Sequence, residues 1–224
     1  MKTVIYGNGS IAKLLFSYAR HSMDIAGFTV DGACIADNVE RHLGLPIVPF
    51  SRVEEQFDPV SHHMIMAVGF IEMNALRTRK YLEARQKGYS FTSFVHDSVF
   101  MHDDVVIEEN CMILDHVSIH PGCRIGSGTF ISSNVNIGHD CNVGPSNWIN
   151  SGVAIAGGCD IGEGCFFGVN SSAAHGLHIG AHNFIAANTL VNKHTQDDQV
   201  YLSEPAQLFR LRSDSFLRFS QVLV

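Results

Sequence analysis

From residue 107 to residue 191 an apolar side chain returns at every sixth position without one insertion: Ile107, Ile113, Ile119, Ile125, Ile131, Ile137, Val143, Ile149, Ile155, Ile161, Phe167, Ala173, Ile179, Ile185 and Val191. Thirteen of these fifteen are Ile or Val, so the register is uniform rather than sporadic. A period of six fits neither the 3.6-residue repeat of an amphipathic helix nor the two-residue repeat of an isolated strand. It fits a solenoid with a triangular coil, each side a short strand and each corner a tight turn. Three hexads close one coil, so the run predicts about five coils. Each coil touches only its neighbours, and both ends need covering. The C-terminal segment, with Phe209, Leu211, Phe216 and Leu217 at near-helical spacing, is expected to cap one end. The chain before the repeat is expected to cover the other.

Glycine commonly follows the apolar residue, as at Gly126, Gly138, Gly144, Gly162 and Gly180. The expectation is that these turns need positive φ, which glycine adopts at least cost. Four positions after the apolar residue stand Cys111, Cys123, Cys141, Cys159 and Cys165. Five cysteines in one repeat register read as small side chains stacked inside the prism. No CxxC pair offers zinc or redox chemistry, and Cys141 is disarmed as a nucleophile.

The first ninety-odd residues change pattern. Thr3 to Tyr6 reads as a strand, followed by an apolar helix to about Arg20; Ile25 to Val30 and Met64 to Val68 read as further strands. Leu76 to Gln86 is helical, and Phe91 to Val95 leads into the coil. Strands alternating with helices predict a small parallel sheet, here a Rossmann-like half-domain. Gly7-x-Gly9-x-x-Ala12 after the first strand, with Asp31 some twenty residues on, has the form of a dinucleotide fingerprint. Only one such half fits before Val95, so the reading is a site for one nucleotide, with phosphate near the amides after Gly7. The alternative is a tight strand-to-helix turn without a ligand. The expected domains are 1–95, a nucleotide-binding α/β unit; 96–200, the coil; and 201–224, a helical cap.

Composition narrows the function. A net charge of −7 and no Lys/Arg cluster argue against binding a nucleic-acid polymer. The start of the chain does not read as a signal peptide, and no stretch approaches the ~20 apolar residues that span a bilayer. The expected location is cytoplasmic.

A small Rossmann-like domain followed by a hexapeptide coil resembles the sugar N-acyltransferase family of the PglD, NeuD and PerB type over nearly the whole chain. Gly7-Asn8-Gly9-Ser10-Ile11-Ala12-Lys13 parallels the family's GxGGHAK turn, and Gly27-Phe28-Thr29-Val30-Asp31 its GFxDD strand end. Ala67-Val68-Gly69 parallels its third strand, and Gly138-His139-Asp140-Cys141 its histidine-plus-acid signature. The resemblance implies a left-handed parallel β-helix and a homotrimer with CoA between adjacent coils. It also implies acyl transfer, acetyl above all, from CoA to the amine of a nucleotide-linked amino-deoxysugar. Three positions depart: Ile11 replaces the turn histidine, Trp148 a second histidine, and Ser203-Glu204-Pro205-Ala206-Gln207 lacks the basic residue of GxPAK.

Acyl transfer to an amine needs a base, an orienting acid and a donor for the thioester oxyanion. His139, two residues beyond inward Ile137, is placed outside the prism and suits the base, with Asp140 beside it. One coil on, Gly157 stacks above His139 at about 4.8 Å. There its lack of a side chain admits the thioester and its N–H is available to the oxyanion. The candidate nucleotide-sugar contacts are Gly7, Gly9, Ser10, Asp31, Gly69 and Trp148; those for CoA are Gly157, His175 and Ala187. No metal is expected. A trimeric zinc carbonic-anhydrase-like lyase would use His139 and His175, but its third ligand position is Gly180. The remaining alternatives are O-acetyl transfer to a hydroxyl and a coil without catalysis.

Overall fold

The computed structural model describes residues 1–221. The front of the chain forms β1 (Lys2–Tyr6), α1 (Ser10–Ala19), β2 (Ile25–Val30), β3 (Arg41–His42), β4 (Leu45–Pro49), α2 (Val53–Gln56), β5 (His62–Met66), α3 (Ala75–Gln86) and β6 (Ser90–Phe91). These strands make one sheet in the order β3-β4-β2-β1-β5-β6, parallel except for the β3–β4 hairpin. The chain winds from β1 outward through β2 and β4, then returns to the other side of β1 as β5. Strand order reverses there, and such a reversal opens a crevice at the carboxyl ends of the strands.

The coil then runs without interruption. Every hexad becomes a two-residue strand ending on the predicted apolar residue, from Val106–Ile107 to Leu190–Val191. Pairing follows the eighteen-residue spacing, as in Asn136↔Ala154 and Ile137↔Ile155. Three strands lie beyond the predicted run, at Phe94–Val95, Phe100–Met101 and Val200–Tyr201. The three parallel sheets fit a left-handed β-helix of six coils rather than five. The last coil is two residues short, since Ile185 pairs with Tyr201. Polar side chains close it: Thr195 Oγ1 accepts the Gly180 N–H at 2.9 Å, and Asp197 accepts that of Ala181 at 2.7 Å.

Inside the prism the register residues form one apolar stack, with Ile113, Ile119, Ile125, Ile131, Ile137 and Ile149 fully buried. The five repeat cysteines are buried with them and unpaired. Each thiol reaches a carbonyl fifteen residues on, as Cys123 Sγ does to Gly138 O at 3.0 Å and Cys165 Sγ to Gly180 O at 3.2 Å. Burial pushes the Cys111 thiol up to about 11. The hydrogen bond with Cys159, with burial added, holds Cys141 well above the ordinary thiol range.

Two expectations are corrected here. Positive φ does not fall on the glycines that directly follow the apolar residue. It falls two positions later, at Asn110, His116, Gly122, Gly128, Asn134, Asp140 and Ser146, and on up the coil. The glycines directly after the apolar residue have a different cause, the backbone of the coil above. A Cβ on Gly126 would lie 2.5 Å from Gly144 C, and one on Gly162 would lie 2.5 Å from Ala181 N.

The second correction concerns the front domain, which packs on the flank of the coil rather than over its end. The outward positions of the side that begins at Phe94 are Phe94, Met112, Phe130, Trp148, Phe166 and Phe184. Those of the next side include Ser118, Asn136 and Ser172. The first four pack with Ile5, Leu15, Phe28 and Ile65 of the sheet domain in one core. Burying so large an apolar face outweighs covering the few residues at a coil end. Hydrogen bonds fix the seam: Asn110 Oδ1 accepts the Met66 N–H at 2.8 Å, and Tyr18 Oη donates to Asp115 at 2.7 Å.

Of the expected cap, Ser213–Gln221 is helical (α4), and Phe209 packs against Phe216 at 5.5 Å. Residues 202–219 are nonetheless exposed, and 222–224 lie outside the described residues.

Candidate active site

The corner between the second and third sides of the coil carries His139. The segment Gly138–Cys141 links the strands at 136–137 and 142–143, and the His139 side chain projects from it, 57% exposed. Asp140 occupies the left-handed step of the turn, φ 57°, which Asp and Asn tolerate better than most residues. That conformation turns its carboxylate back on its neighbour, so His139 Nδ1 and Asp140 Oδ2 lie 2.8 Å apart. With Nδ1–H donating to the carboxylate, the lone pair of Nε2 is free.

Gly157 sits one coil above, buried beneath the ring. A Cβ there would stand 2.5 Å from His139 Nε2 and 2.6 Å from Cδ2, so the imidazole fills the space of the missing side chain. The backbone locks this register, since the Gly158 N–H donates to His139 O at 2.7 Å. The N–H of Gly157 itself donates to no group among the described residues. At the same step of other turns that amide binds a carboxylate: Ser127 N–H donates to Glu108 at 3.0 Å, and Ala181 N–H to Asp197 at 2.7 Å. An amide at this step therefore presents its N–H to an external anionic oxygen. His175, two coils above, brings its ring centroid to 5.9 Å from that of His139. Ala187 belongs to a different corner, above Ser133, Ser151 and Val169 in the eighteen-residue register, and one chain does not bring it to Gly157.

A second cleft of about 440 Å³ lies where the strand order reverses. It gathers Gly7, Gly9, Ser10, Asp31 and Gly69, with Asn8, Ile11, Cys34 and Phe70. Gly7 has φ 128°, and a Cβ there would lie 2.6 Å from Ala67 O, so strand approach alone requires this glycine. Gly9, the N-cap of α1, meets nothing within 4 Å and faces open space. The first amides of α1 lack intrahelical partners and carry the positive end of its dipole. Asp31 pairs with Lys80 at 2.9 Å.

Trp148 does not line this cleft. It is 6% exposed, stacks on Phe130 at 4.1 Å and receives Arg77 over its face at 5.3 Å. Its aromatic ring serves the seam between the domain and the coil. The signal lay in the sequence, since Trp148 shares the outward register of Phe130 and Phe166 at eighteen-residue spacing. Lys80, which neutralises Asp31 from α3, carries no motif that marks it.

Among the described residues no group of three or more His, Cys, Asp or Glu is placed to hold a metal ion. Among them also, no helix is long and apolar enough to cross a membrane.

Comparison with known proteins bears on this geometry. The family model of the bacterial transferase hexapeptide (six repeats) matches residues 104–139. No curated protein matches the sequence significantly. A structure of a perosamine N-acetyltransferase variant from Caulobacter crescentus, in complex with CoA and GDP-perosamine, superposes with a TM-score of 0.82 at 25% identity, covering 92% of this chain and 96% of that one. The acetyltransferase domain of PglB from Neisseria gonorrhoeae, in complex with acetyl coenzyme A, gives 0.78 at 16% identity over 89% and 94%. WeeI from Acinetobacter baumannii gives 0.69 at 16% over 93% and 100%. The last two likenesses speak to the fold alone. Repeat, fold and similarity together support an acyltransferase activity for this chain, which carries the hexapeptide repeat over residues 104–139 and shares the fold of these acetyltransferases.

Proposed function

We propose that the chain transfers an acetyl group from acetyl-CoA to the amine of a nucleotide-linked amino-deoxysugar, with His139 as general base. The observation that carries this reading is the trio of His139, Asp140 and the unpaired Gly157 amide at one coil corner. Asp140 holds Nδ1–H and orients the ring. His139 Nε2 takes the proton from the sugar amine as its nitrogen attacks the thioester carbonyl. The Gly157 N–H receives the carbonyl oxygen as charge develops on it. Collapse breaks the C–S bond, the departing thiolate takes the proton back from His139 Nε2, and CoA leaves as the thiol with the base restored. Attack is direct, because every cysteine near the corner is buried.

The front cleft is the proposed seat of the nucleotide, with its phosphates at the amides of Gly9 and Ser10 and with Asp31 and Gly69 framing it. The front domain covers the first side of the prism, and the His139 corner is the one opposite that side. A sugar held in the cleft of one chain therefore needs the His139 of another. A homotrimer with active sites between neighbours is the assembly this reading requires. The neighbour also supplies what a single chain lacks, the exclusion of water from a base more than half exposed. CoA lies along the groove past Gly157 and His175, and Ala187 joins it from the adjacent chain. The N-acetyl reading over O-acetyl rests on the activity of the perosamine N-acetyltransferase it resembles. The proposed cellular compartment is the cytoplasm, where nucleotide sugars are made.

Two substitutions test the assignments. Gly157→Ala keeps the amide but displaces the imidazole, so kcat falls by about 10²-fold while the thermal midpoint holds. Unchanged kcat would remove Gly157 from the site. Gly9→Val fills the front cleft without backbone strain, so KM for the sugar nucleotide rises while KM for acetyl-CoA does not. Equal rises in both would place the cleft outside sugar binding.

A further inference from the structure

A cleft of about 650 Å³ belongs to neither site above. It runs between α3 and the corner joining the third side of the coil to the first, lined by Arg77, Thr78, Leu82, Ser127, Ser146 and His182 among others. At its wall stands a cation that nothing neutralises. Arg77 is 3% exposed and forms no ion pair among the described residues. Its Nη2 reaches only Asn147 O, at 3.5 Å, and its Nε has no partner. The Trp148 face is its one other compensation. Burial alone lowers its pKa to about 10.

Strained backbone leads into this turn of α3. Glu72, Met73 and Asn74 are consecutive residues at positive φ, 51°, 49° and 65°. Such backbone is unfavourable for residues that carry a side chain and persists where function or packing retains it. Buried charges are ordinarily paired, so an unpaired guanidinium with a free donor beside a cleft calls for an anionic acceptor.

The remaining lining selects among anions. Glu72, Glu83 and Glu163 outnumber Arg77 and Arg79 around the cleft, and that balance disfavours a polyphosphate, unlike the front cleft with its helix N-terminus. Leu82, Met73, Tyr81 and Pro145 offer apolar contact. We infer that this cleft binds a monoanionic carboxylate with an apolar body, its carboxylate meeting Arg77.

Calorimetric titration of the intact protein with decanoate tests this, with decylamine as the control of equal tail and opposite charge. Decanoate binding at one site per chain, absent with decylamine, is expected. Arg77→Met should weaken it at least tenfold. Leu82→Glu, at a half-exposed position that leaves the core untouched, should also weaken it by adding a carboxylate to the lining. Gly9→Val should leave it unchanged. Equal binding of both amphiphiles, or decanoate binding indifferent to Leu82→Glu, would overturn the inference, as would no binding at all.

Discussion

His139→Ala is expected to lower kcat/KM for acetyl transfer by about 10²- to 10⁴-fold, the range removed with a positioned general base. Stability should hardly change, because the side chain is 57% exposed and its one hydrogen-bond partner is its exposed neighbour Asp140. KM for acetyl-CoA should also hold, since the ring acts on the amine rather than on the thioester carrier. Steady-state rates beside a thermal melt of each variant separate the cases. A fall in activity matched by a fall in melting point would mean that His139 props the corner and does no chemistry. The companion Asp140→Asn tolerates the same left-handed backbone and keeps an acceptor oxygen, so its loss should be smaller than that of His139→Ala.

The largest stability effect is expected at a glycine that looks unremarkable in sequence. Gly126→Ala drives a methyl into the backbone of the coil above, with Gly144 C at 2.5 Å and Pro145 N at 2.6 Å. Backbone held in a parallel ladder cannot step aside as a side chain can. The cost should reach about 3 kcal/mol, the upper end of overpacking. Gly128→Ala, two residues on, meets only side chains, Ser146 Oγ at 3.5 Å and Asn110 Nδ2 at 3.7 Å, and must instead hold φ near 68°. That costs about 1–2 kcal/mol. Thermal midpoints of the two variants should fall in that order. The reverse order would mean that φ, and not coil spacing, governs these corners.

The coil was legible because its constraint is periodic. Each inward residue from Ile107 to Val191 ends a strand in the predicted register, and the cysteines fall inside the prism as their spacing requires. What escaped was whatever the period does not encode. Val95 and Met101 obey the register but precede the long Ile run, while the last coil drops two residues, so the coil count was low by one. The attachment of the front domain was written in Phe94, Met112, Phe130 and Trp148. It is readable only when outward positions eighteen apart are compared. The motif analogy places Trp148 at the sugar, whereas its burial against Phe130 and Arg77 follows from that ladder. His139, Asp140 and Gly157 came together because two spacings suffice, one residue for the acid and one coil for the glycine. Strands β3 and β4 carry no alternation long enough to announce them. Arg77 escaped too, since nothing in a surface-like run of charges foretells burial at a domain seam.

The most direct test of the central claim is acetyl transfer itself. The protein is incubated with acetyl-CoA and a panel of GDP-, UDP- and dTDP-linked 3- and 4-amino-deoxysugars, and products are read by mass spectrometry before and after mild hydroxylamine. One sugar nucleotide should gain an acetyl group that resists hydroxylamine, as an amide does, and the gain should vanish with His139→Ala. An acetyl group that hydroxylamine removes, or a product formed equally well without His139, would contradict the account.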